Sequence, residues 1–265
     1  MDCVCLIAAP QTGAAYLGKV LEKFSILAPY PDVFSADGIP RIDCEAWPAL
    51  RKATGIAFTD VADPQLTVYA RDNPADWLDA LEGAARERGK RIMSIRLSRG
   101  DLDTDVIERE IATRARLRFV MVVRKQIDSF VSWRRSVEIN KWQGVGVNSD
   151  RLRLKLDADG FERWLDAQQR WYDHWRDFLN RRFTPCPVLR YEVDIDQPAD
   201  RVLRRFAAAA GQVGIALRVP ATIDDSYSHL RDKPESLADR VANWADFNRA
   251  IFARGLERRA FGYPT

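Results

Sequence analysis

Two segments of this chain carry residue types that could hold an anionic group. The first runs Val4-Cys5-Leu6-Ile7-Ala8-Ala9, then Pro10-Gln11-Thr12-Gly13-Ala14-Ala15, then Tyr16-Leu17-Gly18-Lys19-Val20-Leu21. It reads as an apolar strand, a tight loop and a helix. Such a loop presents backbone N–H groups that lack intrahelical partners at the positive end of a helix dipole, a ready cradle for phosphate or sulfate. Gly13 to Lys19 also spells G-x-x-x-x-G-K, the opening of a triphosphatase P-loop, but the next residue is Val20, without the hydroxyl that holds magnesium. In a P-loop the lysine follows the loop directly, whereas the pattern here puts Gly18 and Lys19 a full turn inside the helix. A nucleotide kinase or triphosphatase therefore ranks last among the readings.

The second segment is Phe119-Val120-Met121-Val122-Val123, followed at once by Arg124 and later by Ser132-Trp133. An arginine at the carboxyl end of a buried parallel strand stands where open α/β sheets bind ligands, and a serine on the next helix reaches the same place. Together they could hold a second phosphate, Arg124 by a charged fork and Ser132 by its hydroxyl. The structural alternative is an Arg124 that pairs with Asp128. No carboxylate follows this strand to hold magnesium.

Other chemistry-bearing residues read mostly as structure. Four cysteines (Cys3, Cys5, Cys44, Cys186) and two histidines (His174, His229) make a poor zinc signal. Cys3 and Cys5 alternate at strand spacing and are expected to share a core face. Phe161, Trp164, Trp171, Trp175 and Phe178 recur at helical spacing, the pattern of a core stripe rather than a cofactor box. His229, in a loop, is the better acid/base candidate of the two histidines. The basic run Arg86 to Arg99 lacks interleaved aromatics and is expected to be a solvated face, not a nucleic-acid surface.

The elements that must position these residues follow an α/β rhythm with a mainly parallel sheet. Strands are expected at Val4–Ala8, Arg91–Leu97, Phe119–Val123 and Val188–Tyr191. Helices are expected at Ala14–Lys23, Ala75–Arg88, Thr104–Leu117, Ile127–Lys141, Phe161–Arg181, Arg201–Gly211 and Leu237–Leu256. Ala28–Pro48 and Trp142–Gly160 read as long, irregular loops of the kind that carry function. At 265 residues, with 46% hydrophobic and 30% charged content, the expectation is a single domain with loop insertions at those two places. The apolar run at the start is too short for a membrane span or a secretory signal, so a cytoplasmic protein is expected. Lys plus Arg at 41 against Asp plus Glu at 38 leaves a net charge of +3, so any anion site must be local and nothing calls for nucleic acid.

The succession of these features resembles the sulfotransferases that use 3′-phosphoadenosine 5′-phosphosulfate (PAPS), in particular the bacterial carbohydrate branch that includes trehalose 2-sulfotransferase. Strand, Pro-x-Thr/Ser-Gly loop and helix, then strand, Arg124 and Ser132, is similar to that family's donor site. Pro31-Asp32-Val33-Phe34 is similar to the branch's Pro-x-Glu-Tyr-Phe region, and Ile95-Arg96-Leu97 stands where the branch has Gly-Val-Lys-Leu. Arg124, Asp128, Ser132-Trp133, Glu138 and Trp142 follow its Arg, Gln, Ser, Thr-Gly-x-Trp helix. Phe161 to Leu179, Pro187-Val188-Leu189-Arg190-Tyr191-Glu192 and Pro198 follow its Trp-rich helix and Tyr-Glu strand end. The match covers most of the chain, in order.

The resemblance implies a P-loop-like three-layer fold, PAPS or its product adenosine 3′,5′-bisphosphate (PAP) as ligand, no metal, and a carbohydrate or glycolipid acceptor. It is also compatible with a homodimer. It assigns nucleotide contacts to Gln11, Thr12, Gly13, Ala14, Ala15 and Tyr16 for the 5′-phosphosulfate, and to Arg124 and Ser132 for the 3′-phosphate. Asp32 takes the position of the general base that accepts the acceptor's proton, one methylene shorter than the usual Glu. The departures fall at the chemical centre. Gln11 stands where the family has a catalytic Arg or Lys, and Ala14 and Ala15 where it has hydroxyls. Losing one preorganised donor costs on the order of 3 kcal/mol of transition-state stabilisation. Arg96, Lys19, Arg231 or Lys233 could substitute for the lost cation. The alternative is a catalytically impaired member that keeps the fold as a binding module.

Overall fold

The computed structural model describes residues 1–36, 38–39, 42–139, 152–223 and 236–264. At its centre lies a sheet of five parallel strands in the order β2-β3-β1-β4-β5. The strands are β1 (Asp2–Ala8), β2 (Leu27–Tyr30), β3 (Ile92–Leu97), β4 (Leu117–Val123) and β5 (Val188–Arg190). β1 is central: Cys5 is in register with Ile95 on one side and with Phe119 on the other. Its side chains are buried on both faces, as the unbroken apolar run requires when helices cover both sides.

Helices α2 (Trp47–Thr54), α3 (Pro64–Asp72), α4 (Pro74–Glu87) and the second half of α7 (Ala158–Arg181) cover the face on which Cys3, Cys5 and Ile7 lie, with Trp77, Tyr172 and Trp175 at the contact. Helices α1 (Ala14–Leu21) and α8 (Ala199–Gln212) cover the face of Val4, Leu6 and Ala8. A smaller cluster joins α6 (Gln126–Glu138) and the first half of α7 to α10 (Trp244–Ala253) around Phe130, Phe161 and Phe247. The short helices α5 (Thr104–Val106), α9 (Leu237–Arg240) and α11 (Glu257–Ala260) complete the set among the described residues. The expected three-layer α/β fold is present. The aromatic stripe of α7 is core, and Cys3 and Cys5 are buried free thiols held protonated by burial.

Several elements differ from expectation. Ala28–Pro48 is not one irregular loop: β2 opens it, and a 3₁₀ turn at Cys44–Ala46 leads into α2. Pro29 conceals β2 in the sequence, since proline is confined to edge strands, and an edge is where β2 lies. The helix expected over Thr104–Leu117 is α5 plus one π-type turn, Ile107–Ile111. It stops because Leu117 is drawn into the sheet opposite Cys3. The helix expected over Leu237–Leu256 is broken at Val241, whose backbone is extended and bridges Leu154. Of Trp142–Gly160, residues up to 151 lie outside the described residues, and α7 begins at Ala158.

Candidate functional site

The carboxyl ends of four adjacent strands bring the sequence's candidates into one row. After β1 comes the loop Ala9–Gly13, which enters α1. Gly13 caps that helix with φ 82° and has no side chain to bond its amides, and no acidic residue lies in the first turn. The first intrahelical bond runs from Leu17 N–H to the Gly13 carbonyl, so the amides of Ala14 to Tyr16 precede it. The positive end of the helix dipole thus points at the loop, where it favours negative charge. Only glycine fits at 13: an added Cβ would lie 2.3 Å from the Tyr191 ring.

The loop is held from several directions. Thr12, buried, donates its hydroxyl to the Ala9 carbonyl at 2.8 Å. Tyr172 of α7 accepts from Ala9 N–H at 2.9 Å and donates to the Val122 carbonyl at 2.8 Å, and burial raises its phenol pKa. Ser98 donates to the Ala8 carbonyl at 2.7 Å. From the far side, Arg124 donates to the Gln11 carbonyl at 2.9 Å, with its guanidinium carbon 4.3 Å from the centre of the Tyr191 ring. Helix α6 lines up three serines on one face. Ser129 donates to the Pro10 carbonyl at 3.1 Å, Ser132 donates to Gln11 Oε1 at 3.0 Å, and Ser136 accepts from Gln11 Nε2 at 3.3 Å.

Arg124 and Ser132 thus reach the loop across more than a hundred residues of chain. The alternative partner expected for Arg124 is engaged elsewhere: Asp128 pairs with Arg240 at 2.7 Å. Ala14 is buried at the start of α1. The Tyr16 side chain points into the core and donates to the Gln197 carbonyl at 3.0 Å, so a ligand at the loop could meet only its backbone. Gly18 lies inside α1 against Pro31, and Lys19 pairs with Glu22 on the outer surface at 2.7 Å, as the spacing predicts for a sequence that is not a triphosphatase loop.

Asp32 follows β2. It is 7% exposed and forms an ion pair with Arg96 at the end of β3. Its loop is fastened by Trp77, which donates to the Val33 carbonyl at 3.0 Å, and by Arg71, which donates to the carbonyls of Phe34 and Asp101. Asp101 accepts from Ser98 N–H at 2.7 Å and lies close enough to Arg96 to interact electrostatically. Burial raises the Asp101 carboxyl above its ordinary value, against the opposing effect of Arg96. Burial likewise lowers the Arg96 guanidinium. Arg96 therefore departs from the solvated face expected for Arg86 to Arg99: it turns inward and carries the charge that faces Asp32.

Backbone geometry sets the two catalytic candidates apart. Gln11 (φ 64°) and Asp32 (φ 60°) adopt the left-handed conformation, which only one other non-glycine among the described residues shares, Phe183. Such strain costs about 1–3 kcal/mol per residue and tends to collect at functional sites. The sequence reading missed Tyr172, Tyr191, Ser129, Ser136 and Asp101. The helical spacing of Ser129, Ser132 and Ser136 was a legible signal; Tyr191 stood out only as part of the Tyr-Glu strand end, with no role attached, and Tyr172 gave no signal beside the aromatic stripe of its helix. His174 pairs with Glu108 at 2.7 Å, away from this row. His229, Arg231, Lys233 and Trp142 lie outside the described residues. Among the described residues no cluster of His, Cys, Asp or Glu is gathered for a metal, and no helix is long and apolar enough to cross a membrane.

No protein-family model matches the chain, and no curated protein matches it at significant similarity. The functional reading therefore rests on the residues and their arrangement.

Proposed function

We propose that this chain is a sulfotransferase-like protein that binds PAPS and its product PAP at the β1–α1 loop and transfers the sulfuryl group to a carbohydrate hydroxyl. One observation carries the reading: Arg124 and Ser132, nominated for a 3′-phosphate, converge on the same Gln11 whose loop is nominated for the 5′-phosphosulfate. The loop lies at the carboxyl end of the central strand, where the chain turns to one side for β2 and β3 and to the other for β4 and β5. Open α/β sheets bind ligands at such a switch point. In this reading the loop amides hold the 5′-phosphosulfate, and the 3′-phosphate takes over the bonds that Ser132 and Arg124 make to Gln11. The acceptor oxygen bonds to sulfur, its proton passes to Asp32, and the bond from sulfur to the 5′-phosphate oxygen breaks, releasing PAP.

A second reading, a binding module without turnover, is favoured by specific contacts. The Gln11 carboxamide is spent on Ser132 and Ser136, and Asp32 is occupied by Arg96, so neither is poised for proton or charge transfer in this arrangement. Calorimetric titration of the purified protein with PAP, against ATP plus magnesium, tests the shared donor site without needing the acceptor. Binding of PAP that depends on its 3′-phosphate supports the site, and turnover with labelled PAPS then separates enzyme from module. Binding of neither nucleotide overturns the donor site and the transfer mechanism and leaves the non-catalytic module as the reading.

A further inference from the structure

Beneath the loop, on the α7 side of the sheet, lies a small, partly open pocket whose polar lining is Thr12, Arg124, Gln126, Ser129, Gln168 and Tyr172, with Ala9, Trp164 and Pro264 beside them. Two of its walls carry polar atoms with no protein partner. Gln168, in the middle of α7, is 1% exposed, and both its Oε1 and its Nε2 lack a hydrogen bond. Gln126, at the start of α6, is 2% exposed; its Nε2 donates to the Arg259 carbonyl at 3.4 Å, but its Oε1 has no partner. Burying an amide without a partner costs on the order of 1–3 kcal/mol, and two such groups facing one cavity seldom persist unless something in the cavity meets them.

The walls specify that occupant. The free space is that of a single water molecule, far too small for a base or a sugar. The Arg124 guanidinium at the wall opposes a cation, and two carboxamide oxygens oppose an anion. What remains is a neutral molecule that both donates and accepts. We propose that this cavity is a built hydration site in which one internal water donates to Gln126 Oε1 and bonds the Gln168 carboxamide, tying α6 to α7 directly under the loop. The site bears on the loop because its other walls, Thr12, Ser129 and Tyr172, are the side chains that bond the Ala9 and Pro10 backbone. The inference is independent of which ligand the loop takes.

The test is a change of sign. If Gln168 is merely a tolerated, unpaired amide, Gln168→Leu removes the penalty and raises Tm. If it holds a water, the same change takes away one of that water's partners and lowers Tm by about 2 °C or more. The loss should be local as well: hydrogen exchange at the Thr12, Gly13 and Ala14 amides should quicken several-fold more than in α8, whereas a global loss of stability would quicken both alike. Gln168→Met, closer in shape, serves if the leucine variant does not fold. A crystal structure of the unaltered protein at a resolution that reveals ordered water should show one peak within about 2.7–3.2 Å of both carboxamides. An absent peak, an unchanged or raised Tm, or uniform exchange overturns the proposal.

Discussion

Gly13 and Arg124 allow the sharpest tests, because each has a role that its neighbours cannot take over. Gly13→Ala meets both a left-handed backbone and the Tyr191 ring, so about 2 kcal/mol or more of stability should be lost, read as a lower urea midpoint. Arg124→Ala should weaken PAP by about tenfold to a hundredfold, the worth of one charged hydrogen bond, while leaving the analogue without a 3′-phosphate much less affected; equal loss for both removes Arg124 from that role. Restoring arginine at 11 together with serines at 14 and 15 divides the two functional readings. A large gain in PAPS turnover marks a decayed enzyme, and a fall in existing turnover marks a loop that works as it stands. The sequence named Gln11, Asp32, Arg124 and Ser132, but not that Gln11 would accept hydrogen bonds from both Arg124 and Ser132, nor that Asp32 would face Arg96. Those partners come from other elements far along the chain, and no local pattern encodes them.

Helix α7 joins two cores: Phe161 and Trp164 pack with α6 and α10, and Tyr172 and Trp175 pack under the sheet. Its periodicity made it legible, since a stripe at helical spacing over so long a stretch has no competing interpretation. Trp175→Ala should cost about 3–5 kcal/mol, whereas the exposed Phe183 just beyond the helix should tolerate alanine with little loss. The break at Val241 was not legible, because helical spacing continues through it. Tertiary bonds override local preference there: Leu154 N–H donates to the Arg240 carbonyl at 2.8 Å, and Ala242 N–H donates to the Leu154 carbonyl at 2.7 Å. Asn243 adds a matched pair to Leu156, accepting from its N–H at 3.0 Å and donating to its carbonyl at 2.8 Å. Asn243→Ala should therefore cost about 1–3 kcal/mol and speed exchange at the Leu156 amide before that in α8.

For the whole molecule, the buried Asp101 makes stability depend on pH. Its folded carboxyl titrates above the ordinary value, so the native state binds the proton more tightly than the unfolded chain. The stabilisation from that proton is complete below the unfolded value and is lost as pH rises through the folded one. Asp101→Asn can still accept from Ser98 N–H and should flatten this decline. The stability of the natural protein relative to the variant should then fall as pH rises above the ordinary carboxylate value in urea titrations; a difference that does not change with pH would contradict it. The sequence alone determined the α/β class, the all-apolar central strands and the loop that enters α1, because periodicity and loop chemistry are local properties. Strand order, the second edge strand, the row of side chains at the carboxyl edge and the polar cavity beneath the loop were decided only by tertiary structure. Each joins residues far apart in the chain, where burial and hydrogen-bond satisfaction outweigh local preference.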